Sequence, residues 1–237
     1  MEAKRARIAL LASALITLAL YSLPQGRYVI YPLLLLSTFV HELGHGLTAL
    51  LVGGEFFSLR IWADGSGIAM MYVEPGWRSA LASAGGLAGP AIAAALCFLA
   101  ARSARLSRFS LWIFGAFCLV VALWVVRNPV GWAVAGVTGT VCILIARFGN
   151  DEVRRVSLVF FAIQLALSVF SNSDYLFKKS AKTGAGLGAS DVSNIADHLF
   201  GPYWFWGFVV GVFSVATVGV GLYVNLRSGA RKHTRTA

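Results

Sequence analysis

From Tyr28 to Val52 the chain carries one charged residue, Glu42, and that residue sits inside the pentapeptide His41-Glu42-Leu43-Gly44-His45. A helix over such a run must span or enter a bilayer, since about 20 apolar residues suffice to cross one. Histidines at i and i+4 project from the same helix face. That spacing lets both imidazoles bind one Zn²⁺, with Glu42 beside the metal as base for its bound water. Ionisable groups are costly in hydrocarbon and default to a functional role there. The bland reading is a histidine pair hydrogen-bonded within a bundle. It would bury three polar side chains with few polar neighbours to satisfy them. The pattern therefore points to a zinc-dependent protease working within the membrane.

Composition supports the membrane half of that reading. Hydrophobic residues make up 58% of the chain and charged residues 13%, against about a quarter charged in a soluble domain. The mean hydropathy is +0.74. A net charge of +10 would suit a nucleic-acid binder. The basic residues, however, lie between apolar runs and at the termini: Lys4, Arg5 and Arg7; Arg102, Arg105 and Arg108; Arg231, Lys232 and Arg235. This is the positive-inside distribution beside anionic headgroups, so the expected partner is the lipid bilayer, with no nucleic acid. Cys97, Cys118 and Cys142 lie in apolar sequence without metal-ligand spacing and read as small core hydrophobes.

The apolar runs cover 8–23, 28–52, 79–101, 110–126, 130–146, 156–170 and 203–226. The expected fold is an all-α polytopic membrane protein of about six to seven transmembrane helices, one integral membrane domain over 1–237. The first run follows a basic head but reads as an uncleaved helix rather than a signal sequence. Gly53-Gly54 closes the second as a C-cap. Basic loops at 102–108 and 147–155 and the C-terminal tail agree on the cytoplasmic side if the last four runs all span. Counting backwards then puts the basic N-terminus outside, against the rule.

Residues 55–77 are too polar to span. Phe57, Leu59 and Ile61 alternate with Ser58 and Arg60, Asp64-Gly65-Ser66-Gly67 offers a turn, and Ile68 to Val73 reads as a second strand. A small membrane-associated β-hairpin is expected there, with an edge to which an extended substrate can add. Residues 28–101 then comprise the motif helix, this hairpin and a packing helix, while 171–202 form a polar loop with a candidate interfacial helix. Gly85 and Gly89 form a small-xxx-small pattern that lets helix backbones approach, here against the motif helix.

Phe39-Val40-His41-Glu42-Leu43-Gly44-His45-Gly46, the Val52-Gly53-Gly54 helix end, the hairpin and Ala88-Gly89-Pro90 together carry a family resemblance. The chain resembles the site-2 protease family of intramembrane zinc metalloproteases, in its compact prokaryotic-type branch without an inserted PDZ domain. The match covers roughly residues 30–95. The resemblance implies zinc on His41 and His45, Glu42 as general base, and an aspartate from a later helix as third ligand. It also implies an enzyme of the prokaryotic plasma membrane that hydrolyses membrane-embedded or membrane-proximal protein substrates.

The third ligand departs from the family pattern. Neither an Asn-Pro-Asp-Gly nor a Leu-Asp-Gly motif is present, and Asn128-Pro129-Val130-Gly131 puts valine where the carboxylate belongs. A catalytic zinc takes three protein ligands plus water. Asp174, after the sixth apolar run, is placed first, giving an expected metal set of His41, His45 and Asp174. At a helix C-terminus its charge opposes the macrodipole, and its bland reading is a loop acid paired with Lys178. Asp191 is the rival, at the start of an amphipathic stretch with Val192, Ile195 and Leu199 on one side. Its bland reading, shared with Ser190, is a helix cap. The missing motif leaves a second class of function open: a catalytically degenerate membrane protein acting as a binding or scaffold component.

Overall fold

Alternating apolar runs and polar turns fold into a helical bundle in a computed structural model that describes residues 27–171 and 176–231, with scattered positions between 11 and 23. The described elements are α1 (Arg27–Leu51), β1 (Glu55–Ile61), β2 (Gly67–Tyr72), α2 (Trp77–Ala100), α3 (Ala104–Trp124), α4 (Pro129–Phe148), α5 (Asp151–Ser171), β3 (Ser180–Thr183), β4 (Gly186–Ala189), α6 (Asp191–His198) and α7 (Tyr203–Arg231). Five of these helices, α1 to α4 and α7, are long and apolar enough to cross a membrane. The chain is thus an all-α membrane protein with a hairpin after its motif helix.

The sixth apolar run is present as α5 but is not among those five. The helix begins at Asp151, so its first turns carry Asp151, Glu152, Arg154 and Arg155. Its buried residues, Leu158, Val159, Ala162 and Leu165, join the main core. The expected first span falls largely outside the described residues. Within it, Thr17 accepts a 2.6 Å hydrogen bond from the Gln164 amide of α5.

Helix α2 is the hub, packed against α1, α5, α6 and α7. Its sequence explains this, because Ala80, Ala82, Ala91 and Ala94 keep it slender and all are buried. In a bilayer no hydrophobic force drives helices together, so close van der Waals packing must do so. The crossing with α1 is the tightest case. Gly44 lies against the Gly85 carbonyl, Gly85 against Thr48, and Gly89 against the Val40 carbonyl, so the two helices run antiparallel with their backbones in contact. The small-xxx-small expectation is met against the motif helix itself.

Helix α1 ends where expected. Gly53 has φ +82°, and the N–H groups of Gly53 and Gly54 bond back to the Leu50 and Ala49 carbonyls at 3.1 and 2.8 Å. This left-handed cap turns the chain into β1. The β1–β2 hairpin is antiparallel, with Leu59 opposite Ala69 and Ile61 opposite Gly67. Simple alternation would bury Phe57 with Leu59 and Ile61. An irregularity between Phe56 and Ser58 shifts the phase, so Phe56 is buried and Phe57 exposed. One extra residue in a strand has this effect.

The outer edge of β1 is covered. Leu59 N–H donates to the Val125 carbonyl at 2.8 Å, and Arg127 N–H donates to the Leu59 carbonyl at 3.0 Å. The Asn128 carboxamide bonds both the N–H and the carbonyl of Ile61. Asn128-Pro129-Val130-Gly131 therefore starts α4 and clamps the hairpin. A second hairpin, β3–β4, and the short helix α6 occupy part of the stretch expected as polar loop.

Because successive helices reverse direction, the α2–α3 and α4–α5 turns and the end of α7 share one end of the bundle. Both hairpins and α6 lie toward the other. Gly44→Val tests the crossing. Its side chain meets backbone that cannot step aside, and we expect a loss of about 2 kcal/mol or more, read as a lowered unfolding midpoint in detergent.

Candidate metal centre

His41 and His45 stand one turn apart on α1. Their rings meet edge to face, centroids 4.7 Å apart, with the two Nε2 atoms separated by 3.1 Å. The third vertex is Asp191, the first residue of α6. Its Oδ2 lies 3.2 Å from His41 Nε2 and 3.3 Å from His45 Nε2. His45 Nδ1 donates to the Ala82 carbonyl of α2 at 2.9 Å. In the neutral ring this leaves the Nε2 lone pair facing His41 and Asp191.

Two imidazole nitrogens and a carboxylate oxygen converging this closely could hold a metal ion between them. The three atoms suit zinc in number, kind and spacing. A tetrahedron with metal–ligand bonds of about 2.0–2.1 Å has edges of about 3.3–3.4 Å, and the observed triangle of 3.1, 3.2 and 3.3 Å is close to one of its faces. A zinc ion held by these three residues would keep a further position for water or substrate, as in a catalytic site.

Local sequence explains how each group arrives. Helical spacing sets His41 and His45. Gly86 makes the room, because a Cβ there would fall inside the His45 ring. Asp191 is fixed through its neighbours. Ser190 caps α6 by accepting from Ser193 N–H. The Ser190 hydroxyl donates to the Lys178 carbonyl at 2.6 Å, and that of Ser193 to the Lys179 carbonyl at 2.8 Å. Val192 and Ile195 bury with Ala80, Leu87 and Val210 of α2 and α7. Burial alone would push the Asp191 carboxyl up. The His45 and His41 rings beside it prevail and hold it well below the usual carboxylate range, and a helix N-terminus favours the same charge.

Glu42 is buried beside the histidines, 6% exposed. Gly67 of β2 packs directly on its side chain, and the Ala69 N–H hydrogen-bonds its carboxylate. That contact follows from the hairpin register. Trp62 N–H bonds to the Ser66 carbonyl at 2.8 Å, so Gly67 and Ala69 occupy the alternate pairs whose backbone groups point away from β1. The edge of β2 away from β1 therefore faces Glu42. Thr38 Oγ1 donates to the Gly65 carbonyl at 2.7 Å and Tyr31 to the Ala63 carbonyl at 2.7 Å, pinning the turn onto α1.

A cavity of about 590 Å³ opens over His41 and Glu42, with Leu34, Leu87, Leu176 and Leu187 among its walls. Its roof is formed where the two hairpin turns meet. Gly184 N–H donates to Ser66 Oγ at 3.0 Å, and Gly184 lies under the Trp62 ring. Asp64 also lines the cavity, but its carboxylate is taken up by the Ser66 N–H and hydroxyl, which lower its pKa.

Of the residues expected from sequence, the structure brings together His41, Glu42 and His45. The acid found with them is Asp191. Asp174, placed first from sequence, lies outside the described residues. Sequence reasoning missed Gly86 and the Ala82 carbonyl, and gave the glycines of α2 no part in the site. The signal for Asp191 was present in its amphipathic stretch, whose apolar side anchors an acid on the other.

A bundle of apolar helices around an HExxH helix, with two histidines and an aspartate at metal-binding distance, defines a membrane protein of the metallopeptidase kind. A family model described as Peptidase M50B-like matches residues 9–221, and the chain belongs to that family, in agreement with the resemblance to site-2 proteases. No curated protein and no solved structure matches the chain significantly.

Gly86→Ala should displace the His45 ring and lower zinc affinity about 10- to 100-fold, the usual cost of disturbing a ligand's supports. Gly136→Ala, at a glycine with open space around it, should leave affinity unchanged. Zinc titration against a competing chelator measures both.

Proposed function

We propose that this chain is a zinc metalloendopeptidase of the prokaryotic plasma membrane that hydrolyses peptide bonds of membrane-embedded or membrane-proximal protein substrates. One observation carries the reading: His41, His45 and Asp191 converge within ligand distance of one another, and His41 and Glu42 line one cavity. In this reading His41, His45 and Asp191 hold the metal. A zinc ion so held would supply a Lewis acid, able to polarise a carbonyl and to lower the pKa of water toward neutral.

The chain's own groups do the rest. Glu42 takes the proton from the attacking water and returns it to the leaving amine. The Ala69 amide and the packing of Gly67 hold the Glu42 carboxylate in place for both transfers. A substrate segment unwound from its helix lies extended beside β2, on the edge away from β1, and is aligned past Glu42. Ser37, Thr38 and Ser66 line the cavity and give water a polar route to the site, which irregular backbone at membrane depth requires.

The degenerate, non-cleaving reading rested on the missing third-ligand motif. The position of Asp191 beside the two histidines supports a competent site instead.

The test is cleavage of a fluorogenic single-span peptide in proteoliposomes. Glu42→Gln should lower the rate about 10²- to 10⁴-fold, the range for a lost general base, with zinc content unchanged. Asp191→Ala should lose both zinc and cleavage. A Glu42→Gln protein that cleaves at the wild-type rate removes Glu42 from its role.

A further inference from the structure

Toward the end of the bundle away from the metal centre, α2, α3 and α5 part around a second cavity of about 510 Å³. Its walls are hydrocarbon, led by Phe109, Phe114 and Phe117 of α3 with Phe161 and Leu165 of α5. Arg102, in the turn between α2 and α3, stands at one end. Arg105 and Arg108 follow it on α3.

The dimensions match one lipid leaflet. From Leu106 to Phe117 the cavity follows about three turns of α3, about 16 Å at the helical rise. The hydrocarbon core of a bilayer is about 30 Å thick. The cavity thus runs from headgroup level, at Arg102, to about the midplane.

Phenyl walls favour apolar neighbours, with which they make dispersion contacts, and an apolar space does not hold water. In a bilayer the filler at hand is an acyl chain. Such a chain gains little by leaving its neighbours, because lipid tails are as apolar as the walls. Selection therefore rests on the cationic end. A guanidinium binds phosphate through two parallel hydrogen bonds. Arg105 and Arg108, in the first turns of α3, add positive charge at the same end of the bundle and favour a headgroup with net negative charge over a zwitterionic one.

We propose that this cavity binds one anionic phospholipid, its phosphate at Arg102 and one acyl chain lying between α3 and α5 as far as Phe117 and Leu165. The site is separate from the metal centre and does not depend on catalysis.

The test uses a phosphatidylglycerol with a photoactivatable diazirine at the end of one chain, in phosphatidylcholine proteoliposomes of the full chain. Crosslinks should fall on the peptides around Phe117 and Leu165. Excess unlabelled phosphatidylglycerol should remove them, and equal phosphatidylcholine should not. Arg102→Gln should lower the yield about fivefold, the effect of one arginine at a membrane surface, while Arg60→Gln, on β1 near the other end, should not change it. Label spread evenly over the lipid-facing helices, no label at these peptides, or equal competition by phosphatidylcholine would overturn the proposal. The wild-type competition decides the matter even if Arg102→Gln disturbs its turn.

Discussion

The contact on which the rest of the structure depends is the backbone-to-backbone crossing of α1 and α2. Gly44 against Gly85 brings two helix axes closer than any side chain between them would permit. This closeness carries the Ala82 carbonyl to His45 Nδ1 and opens, at Gly86, the slot in which the His45 ring lies. The same helix that receives α1 also receives α6, which presents Asp191. A metal centre inside a bilayer needs its ligands fixed by packing, because little water is present to satisfy a misplaced polar group. Here one slender helix supports both sides of the site.

The polar elements follow the same economy. The β1–β2 hairpin is held on one edge by the 125–128 segment and on its turn by Tyr31 and Thr38. Its remaining edge is turned toward Glu42. The second hairpin leans on the first through Gly184 and continues, through Ser190, into the helix that bears Asp191. Roof and Asp191 thus belong to one continuous stretch of chain. A displacement of the roof would be felt at the metal position.

Much of this was legible in the sequence, for identifiable reasons. Helical periodicity alone sets His41 and His45 on one face, and Gly53 marks the end of their helix because its φ is one that other residues rarely adopt. The β1–β2 hairpin was readable from its turn residues, but not the displacement of Phe57, because an irregular pairing has no compositional mark. Asp191 was visible only as a rival to Asp174. Two sequence cues separated them: a carboxylate gains from a helix N-terminus and loses at a C-terminus, and Val192 and Ile195 give Asp191 a buried anchor. Gly86 was hidden for another reason. A glycine that makes room for a ring acts across the helix pair, and no spacing along its own strand of sequence reports that neighbour.

The central claim is that His41, His45 and Asp191 hold one zinc ion. Zinc K-edge X-ray absorption on purified protein, wild type beside Asp191→Ala, tests it most directly. The account predicts one zinc per chain in the wild type, with a first shell of two imidazole nitrogens and oxygen at about 2.0–2.1 Å, and loss of the metal in the variant. Absence of zinc from folded wild-type protein, or an unaltered zinc shell after Asp191→Ala, would contradict it.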